Sequence, residues 1–353
     1  MTLSPTRRKR PKQPKRSKEP KRHKRRTPRS AFRLFLSLLC LALLGYAAYR
    51  WLPDILSQAE KAAPPKPVSR PIANTLELQI ALARAGFSPG SIDGALGAQS
   101  RQALLAYQQA QRLPTTGTFD PATQAKLEIT EPVYNRVALH KADFARLDPP
   151  LTSWKERGTR SRMSYHTILE MVAEKSMSDP DLIQHLNPTI DFAALQAGTQ
   201  ILAPFMPPVR IRTPISHLRI SLTERTLQAI DTQGSIAFHS PVSIARSVDK
   251  RPSGELRVKV RVADPNYTFN PAILSGTATR EGITQKFVIQ PGANNPVGSV
   301  WIGLNLPSYG IHGTPEPEKV GRTESSGCFR LANWNAETVL DLVQVGTAVY
   351  VTP

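Results

Sequence analysis

The spacing of hydrophobic positions changes along the chain. In residues 73–128 they recur at helical intervals, with Leu78 and Leu82 on one face and Gly86 as a typical helix stop. Toward the C-terminus hydrophobic and polar residues alternate, as in 256–262, where four aliphatic side chains share one face and three cations the other. The sequence therefore predicts a multi-domain α+β protein in which a small helical module precedes a mainly antiparallel β domain.

The helical module is expected to contain three helices. Leu104 and Tyr107 fall on one face of the second helix. Asp120 followed by Pro121 combines an N-cap with a first-turn proline, which begins the third. Within the predicted domain 133–208, the segment 165–204 shows another pattern, with short helices at 167–175 and 180–186 between strands, which predicts a βααβ module.

The β domain is predicted over residues 216–353. It should contain one helix at 336–345, with Asn335 as its N-cap. An insert rich in Pro, Gly and Asn occupies 264–296. Because the insert is longer than a simple connection needs, it is expected to form a lid over a site.

The positive charge is concentrated at the N-terminus. The chain has 353 residues and a formal charge of +19, but residues 1–30 hold fourteen Lys and Arg against one acid, Glu19, a net +13. No aromatic residue is interleaved with these charges. The tail is therefore read as a topology signal or a contact for anionic lipid, and nucleic acid is not expected as a partner.

A hydrophobic segment follows at 31–52. With Arg33 and Arg50 as snorkelling ends it is long enough to span a bilayer, and the positive-inside rule keeps residues 1–30 in the cytoplasm. The prediction is one transmembrane anchor, followed by a proline-rich spacer at 53–72 that carries the folded part outside. A cleaved signal peptide is the alternative, and a buried core helix is disfavoured by the adjoining charges.

One cysteine stands in a setting suited to catalysis. Of two cysteines, Cys40 lies in the hydrophobic segment, which leaves Cys328 without an intrachain partner outside the membrane. Small residues surround Cys328, and His312 precedes it by sixteen positions. Histidine is the usual base for a cysteine nucleophile. The alternative is a buried structural cysteine beside an unrelated loop histidine.

The motifs around these two residues resemble the L,D-transpeptidase catalytic domain of the YkuD type. The matching segments are 309–314, 325–331 and 345–351, and the resemblance extends upstream through 241–246, 252–255 and 291–298. The resemblance implies peptidoglycan cross-linking: the cysteine attacks the third residue of a donor stem tetrapeptide, releases D-alanine, and passes the acyl group to the amine of a second stem as a 3→3 cross-link.

The same resemblance implies roles for individual residues. Cys328 matches the nucleophile and His312 the base, and the Gly313 carbonyl would orient the imidazole. The amides of Gly327 and Cys328 would form an oxyanion hole. Three further residues are expected at the substrate, Arg330 as a cation for a stem carboxylate, together with Tyr309 and Ser326.

Ser326 departs from the family pattern, which has histidine two residues before the nucleophile. Serine cannot titrate near neutral pH. If the base is the histidine matched by His312, activity is expected to survive with a changed pH profile. If the second histidine is indispensable, the protein is an inactive homologue.

Two upstream regions resemble wall-binding modules. Residues 78–97, 106–108 and 113–117 resemble the three-helix peptidoglycan-binding module, and 165–204 resemble a degenerate LysM repeat, which grips glycan chains. The alternative for the first is a helical spacer without a ligand, and for the second a packing spacer that has lost its glycan groove. The expected partners are therefore peptidoglycan stems and glycan strands, and the membrane through the anchor.

The expectation is a single-pass protein of the bacterial cytoplasmic or inner membrane, with an extracytoplasmic L,D-transpeptidase domain. Three alternatives stay open: an L,D-carboxypeptidase that uses water as acceptor, a variant that attaches a wall-bound protein through lysine, and a non-catalytic wall-binding scaffold. No cofactor is expected. No metal site is expected either, because His140, His166 and His185 lack nearby cysteines or paired carboxylates.

Overall fold

The computed structural model describes residues 68–325 and 327–353, together with Gly45. The tail 1–30, the rest of the predicted anchor 31–52 and most of the spacer 53–72 lie outside the described residues, as does Ser326. Among the described residues, no helix has both the length and the hydropathy needed to cross a membrane.

The N-terminal module consists of three helices, as the hydrophobic spacing predicts. They are α1 Thr75–Arg84, α2 Ala98–Ala110 and α3 Pro121–Gln124. Asp120 accepts a hydrogen bond from the Thr123 amide at 2.8 Å, so the predicted N-cap of the third helix is present. A short antiparallel pair, β1 Ser69–Arg70 with β2 Ile129–Thr130, closes the module.

Residues 133–208 contain two strands that enclose helices. Strands β3 Tyr134–Ala138 and β4 Gln200–Pro204 pair antiparallel. Between them lie α4 Lys141–Phe144, α5 Trp154–Arg157, α6 Ile168–Lys175 and α7 Pro180–Leu186. The last two helices are the predicted pair, whereas α4 and α5 were not expected. With four helices between the paired strands, the predicted βααβ order was wrong in the number of helices, and the LysM-like character of the region stays a prediction.

The C-terminal domain is built on one eight-stranded sheet. Its strands are β5 Ile215–Ser221, β6 Thr226–Asp231, β7 Ile236–Pro241, β8 Gly254–Ala263, β11 Val300–Leu304, β12 Gly310–His312, β13 Phe329–Arg330 and β14 Ala348–Thr352. The order across the sheet is β13-β12-β11-β8-β14-β5-β6-β7. Neighbours are antiparallel except for the β5–β14 and β12–β13 pairs, which are parallel. The molecule is thus a mixed α+β protein.

One detail of strand β8 was predicted wrongly. Leu256 and Val258 are buried in the core, but Val260 is 43% exposed. Between Gly303 and Leu304 the register of β11 against β8 shifts, so that Gly303 faces Val260 and Leu304 faces Val258. This irregularity ends the regular alternation along β8, and period-two spacing alone could not reveal it.

The helix of the β domain also begins earlier than predicted. Helix α9 spans Asn333–Leu342 and its N-cap is Ala332, so Asn335 is not the cap. Instead Asn335 is buried, and its Nδ2 donates to Ser88 Oγ of the helical module at 3.0 Å. The polar residue read as a helix start therefore joins two modules.

The insert at 264–296 folds into a small unit of its own. It contains β9 Tyr267–Phe269, α8 Ser275–Glu281 and β10 Phe287–Ile289, with the two strands paired antiparallel. Trp154 of α5 packs against it, with ring centroids 5.2 Å from Phe269 and 6.1 Å from Tyr267. The Trp154 amide also donates to Glu281 Oε2 at 2.8 Å. Helix α5 therefore holds the insert in place.

We expect Trp154→Ala to destabilise the protein by roughly 2 kcal/mol, because truncating a fully buried aromatic costs about 3–5 kcal/mol and Trp154 is only partly buried. Trp154→Phe, which keeps an aromatic ring, should lose less than half of that. Urea unfolding followed by circular dichroism measures both. Equal losses in the two variants would show that the aromatic packing does not hold the insert.

Candidate active site

The candidate site is built on the short parallel pairing of β12 with β13. Its register places Ile311 opposite Phe329 and His312 opposite Arg330. Because side chains alternate along a strand, Ile311 and Phe329 point into the core, where their exposed fractions are 0% and 1%. His312, Cys328 and Arg330 consequently share the other face of the sheet.

Backbone hydrogen bonds fix both sides of this pairing. Ser243 and Arg330 exchange two bonds, from the Ser243 amide at 2.9 Å and from the Arg330 amide at 3.0 Å. The Leu331 amide donates to the His312 carbonyl at 2.8 Å. The segment that carries Cys328 is therefore held between β12 and the chain at Ser243.

The imidazole of His312 has a defined tautomer. Its Nδ1 lies 2.6 Å from the Gly313 carbonyl oxygen, which can only accept, so Nδ1 carries the proton and Nε2 has a free lone pair. Trp301 stacks on the ring with centroids 5.9 Å apart and 26° between the planes. Burial lowers the pKa of His312 to about 4 against the raising effect of the Gly313 bond, with a smaller lowering effect from Arg330.

The thiol of Cys328 sits beside the β11–β12 turn. Its Sγ donates to the Ser308 carbonyl oxygen at 3.4 Å, and Ser308 itself has a φ of +65°. Burial raises the pKa of the Cys328 thiol above its ordinary value, and the Gly310 amide opposes that shift. At neutral pH the resting pair is therefore a thiol and a neutral imidazole rather than an ion pair.

The predicted oxyanion donors are not equivalent in this structure. The Gly327 amide donates to Ser325 Oγ at 3.2 Å, and Ser325 Oγ donates to the Cys328 carbonyl at 2.6 Å. The Gly327 bond has to open before that amide can bind a substrate oxygen. Ser326, which lies between these residues, is outside the described part of the chain.

The two other predicted substrate residues are tied to loops. Arg330 Nη2 donates to Thr323 Oγ1 at 2.8 Å and to the Glu324 carbonyl at 3.2 Å. Burial lowers the pKa of Arg330, and nearby Glu316 opposes the shift. The Tyr309 hydroxyl donates to the Lys250 carbonyl at 3.1 Å. Arg330 thus lies on the face of His312 and Cys328, while Tyr309 contacts a neighbouring turn.

Comparison with known proteins decides the class. A family model described as the L,D-transpeptidase catalytic domain (YkuD) matches residues 216–351, and one described as a peptidoglycan-binding domain matches residues 73–127. The chain is 25% identical over 188 residues to the predicted L,D-transpeptidase YkuD of Bacillus licheniformis, which covers 52% of this chain and 93% of that protein. The Bacillus subtilis protein of the same name is 26% identical over 184 residues, with 52% and 92% covered.

The chain carries an L,D-transpeptidase catalytic domain. It also carries a peptidoglycan-binding domain at its N-terminal helical module. Among solved structures, an L,D-transpeptidase from Mycobacterium smegmatis aligns with 44% of this chain and 64% of its own, at 15% identity and a TM-score of 0.31.

Sequence reasoning missed three residues of the L,D-transpeptidase site. Trp301 belongs to no motif that pointed to the site, although it stacks on His312. Burial raises the pKa of Tyr267 in the insert, and Cys328 adds to that shift. Asn333 accepts hydrogen bonds from the Ser299 and Thr314 amides at 3.1 and 3.0 Å. These roles depend on cross-strand neighbours that no local motif specifies.

The arrangement of the transpeptidase site suits acyl transfer to a thiol with neutral histidine as the proton acceptor. Among residues 68–325 and 327–353, no group of three or more His, Cys, Asp or Glu side chains is arranged to hold a metal ion.

Alkylation of Cys328 by iodoacetamide should be slow at neutral pH and should keep rising above about pH 9, because only the thiolate reacts and burial raises the thiol pKa. The measurement uses the Cys40→Ser variant, in which Cys328 is the remaining thiol. The control is the same protein unfolded in urea. Its alkylation rate should reach half of the plateau at a lower pH than that of the folded protein. A rate that reaches its plateau near pH 7 would contradict the neutral thiol and imidazole.

Proposed function

We propose that the protein is a membrane-anchored L,D-transpeptidase that forms 3→3 cross-links through a thioester on Cys328. The observation that supports this most strongly is the tautomer of His312: with Nδ1 bound to the Gly313 carbonyl, Nε2 is free to accept a proton on the face of the sheet that Cys328 shares. A neutral imidazole on the same face as a protonated thiol can take the thiol proton during attack, once the bond from Cys328 Sγ to the Ser308 carbonyl opens.

In the first half-reaction, Cys328 Sγ attacks the carbonyl carbon of the third stem residue while His312 Nε2 takes the thiol proton. The amide bond to the terminal D-alanine breaks, and its nitrogen leaves with the proton from His312. In the second half-reaction, the side-chain amine of another stem attacks the thioester and gives up a proton through His312. An amide forms, and the thiol of Cys328 is restored.

Other residues are assigned supporting roles in this scheme. The amides of Cys328 and, after its bond to Ser325 opens, Gly327 would bind the developing oxyanion, and one such donor is worth about 3 kcal/mol. Arg330 would hold a stem carboxylate. Ser326 cannot act as a base, so the proposal gives His312 the whole of that role.

The remaining regions would keep the enzyme at the wall. The peptidoglycan-binding domain at 73–127 would bind glycan strands, and the LysM-like region 133–208 would contribute a second contact. The basic tail with the segment 31–52 would anchor the chain in the cytoplasmic or inner membrane of a bacterium, with the catalytic domain outside. These assignments rest on the sequence patterns of those regions.

The acyl group of the same thioester could instead be transferred to two other acceptors. Water would give an L,D-carboxypeptidase, which trims tetrapeptides to tripeptides, and a lysine amine would attach a protein to the wall. We favour an amine from a second stem because the family that residues 216–351 match is that of the L,D-transpeptidases. A non-catalytic scaffold, the remaining alternative, would leave the His312 and Cys328 arrangement without a use.

The test incubates the full chain with disaccharide-tetrapeptide and separates the products by chromatography. Wild type should yield 3→3 dimers and free D-alanine, and Cys328→Ala should yield neither, since no other thiol outside the hydrophobic segment can form the acyl-enzyme. Cys40→Ser is the matched control and should keep full activity. Tripeptide without dimers would replace the proposal by the carboxypeptidase, and dimers from Cys328→Ala would refute it.

A further inference from the structure

Glu174 contacts the catalytic domain from outside it. It belongs to α6 of the region 133–208, yet both of its carboxylate oxygens lie 3.1 Å from Nδ2 of Asn333 in α9. The Tyr165 hydroxyl donates to Glu174 Oε1, also at 3.1 Å. Asn333 Nδ2 has one further acceptor, the Ala293 carbonyl at 3.3 Å. The carboxylate therefore fixes which way the Asn333 amide points.

The other end of the Asn333 amide holds the loop that follows His312. Its Oδ1 accepts from the Thr314 amide at 3.0 Å and from the Ser299 amide at 3.1 Å. The residue before Thr314 is Gly313, whose carbonyl accepts the His312 Nδ1 proton. A continuous chain of hydrogen bonds thus runs from Glu174 through Asn333 to the peptide that sets the imidazole tautomer.

The packing around Asn333 leaves no room for adjustment. A Cβ at Gly313 would lie 2.1 Å from Asn333 Oδ1, and a Cβ at Gly298, where φ is +62°, would lie 2.0 Å from the same atom. Two backbone segments approach the amide this closely because both are glycine. A rotation of the Asn333 amide would therefore displace the Gly313 peptide.

The charge of Glu174 is costly for folding. Within residues 68–325 and 327–353 no ion pair includes Glu174. The titratable groups that influence its pKa are Tyr165, Glu170 and Glu337. Burial raises the pKa of Glu174 to about 7, with smaller raising effects from Glu337 and Glu170 and opposing bonds from Asn333 and Tyr165. A neutral glutamine would make similar hydrogen bonds without this cost, which argues that the carboxylate serves more than stability.

We propose that Glu174 is a positioning residue for His312, acting through Asn333 to hold the Gly313 peptide against Nδ1. The inference rests on the proposed function of Cys328 and His312. It makes the region 133–208 part of the catalytic apparatus, because the acid that orients the base belongs to that region.

The test measures Cys328 acylation by a carbapenem and cross-linking of disaccharide-tetrapeptide in the full chain. Glu174→Ala should lower the acylation rate and kcat roughly tenfold with KM nearly unchanged, since a small displacement of a catalytic base is costly while substrate contacts stay. Glu174→Gln keeps an acceptor for Asn333 and Tyr165, so most of the rate should return.

The matched control is Glu170→Ala, one turn earlier on α6. Glu170 binds the catalytic domain too, because Asn294 Nδ2 donates to its Oε1 at 2.7 Å, but it does not contact Asn333. This variant should lose stability and keep kcat. Equal losses of kcat in Glu170→Ala and Glu174→Ala, or an unchanged kcat in Glu174→Ala, would overturn the positioning role.

The dependence of the acylation rate on pH would not change if Glu174 were only structural. Measuring it requires wild type and the Glu174→Gln variant. An ionised carboxylate binds the Asn333 N–H groups more strongly than a neutral one. The wild-type acylation rate should therefore step up as pH rises through about 7. Glu174→Gln should match wild type at low pH and lack the step, whereas an identical step in both would overturn the inference.

Cys328→Ser separates this inference from the function on which it rests. If wild type is acylated and forms cross-links no faster than Cys328→Ser, the proposed function fails, and the positioning role fails with it. If wild type reacts and Glu174→Ala reacts equally well, the positioning role alone is refuted.

Discussion

The two-residue parallel pairing of β12 with β13 is the constraint on which the site depends. It brings residues sixteen positions apart in the chain to one face of the sheet, with Ile311 and Phe329 buried on the other face. The buried pair makes a slip of one residue costly, because a slip would exchange the core face for the site face. Hydrophobic packing on one side thus sets the relation of thiol and imidazole on the other.

The electrostatics of the site follow from the same burial. Withdrawal from water raises the pKa of Cys328 and lowers that of His312, so both residues rest uncharged. The Gly313 carbonyl then decides which imidazole nitrogen is free. Because that carbonyl belongs to a peptide held by Asn333, the tautomer of His312 depends on the packing of α9, and through Glu174 on a helix of the preceding region.

Local chemistry in the sequence was enough to single out Cys328 and His312 as candidate nucleophile and base, and their roles stay a prediction. Cys328 and His312 carry recognisable neighbours, and the predicted helices at Asp120 and in 133–208 follow from capping and periodicity. Asn335 could not be placed in this way. Its residue type suits an N-cap, but its side chain is buried and donates a hydrogen bond to Ser88 instead. From the sequence alone, Glu174 would be taken for a solvent-exposed helix residue. Its partner Asn333 lies 159 positions away, so local patterns cannot reveal the contact.

The most direct test of the central claim is the intact mass of the full chain during reaction with disaccharide-tetrapeptide. A thioester on Cys328 predicts a transient mass increase equal to the donor less one D-alanine, located on Cys328 by peptide mapping and absent from Cys328→Ala. A correctly folded wild type that yields cross-linked product without any adduct, or with the adduct on another residue, would contradict it.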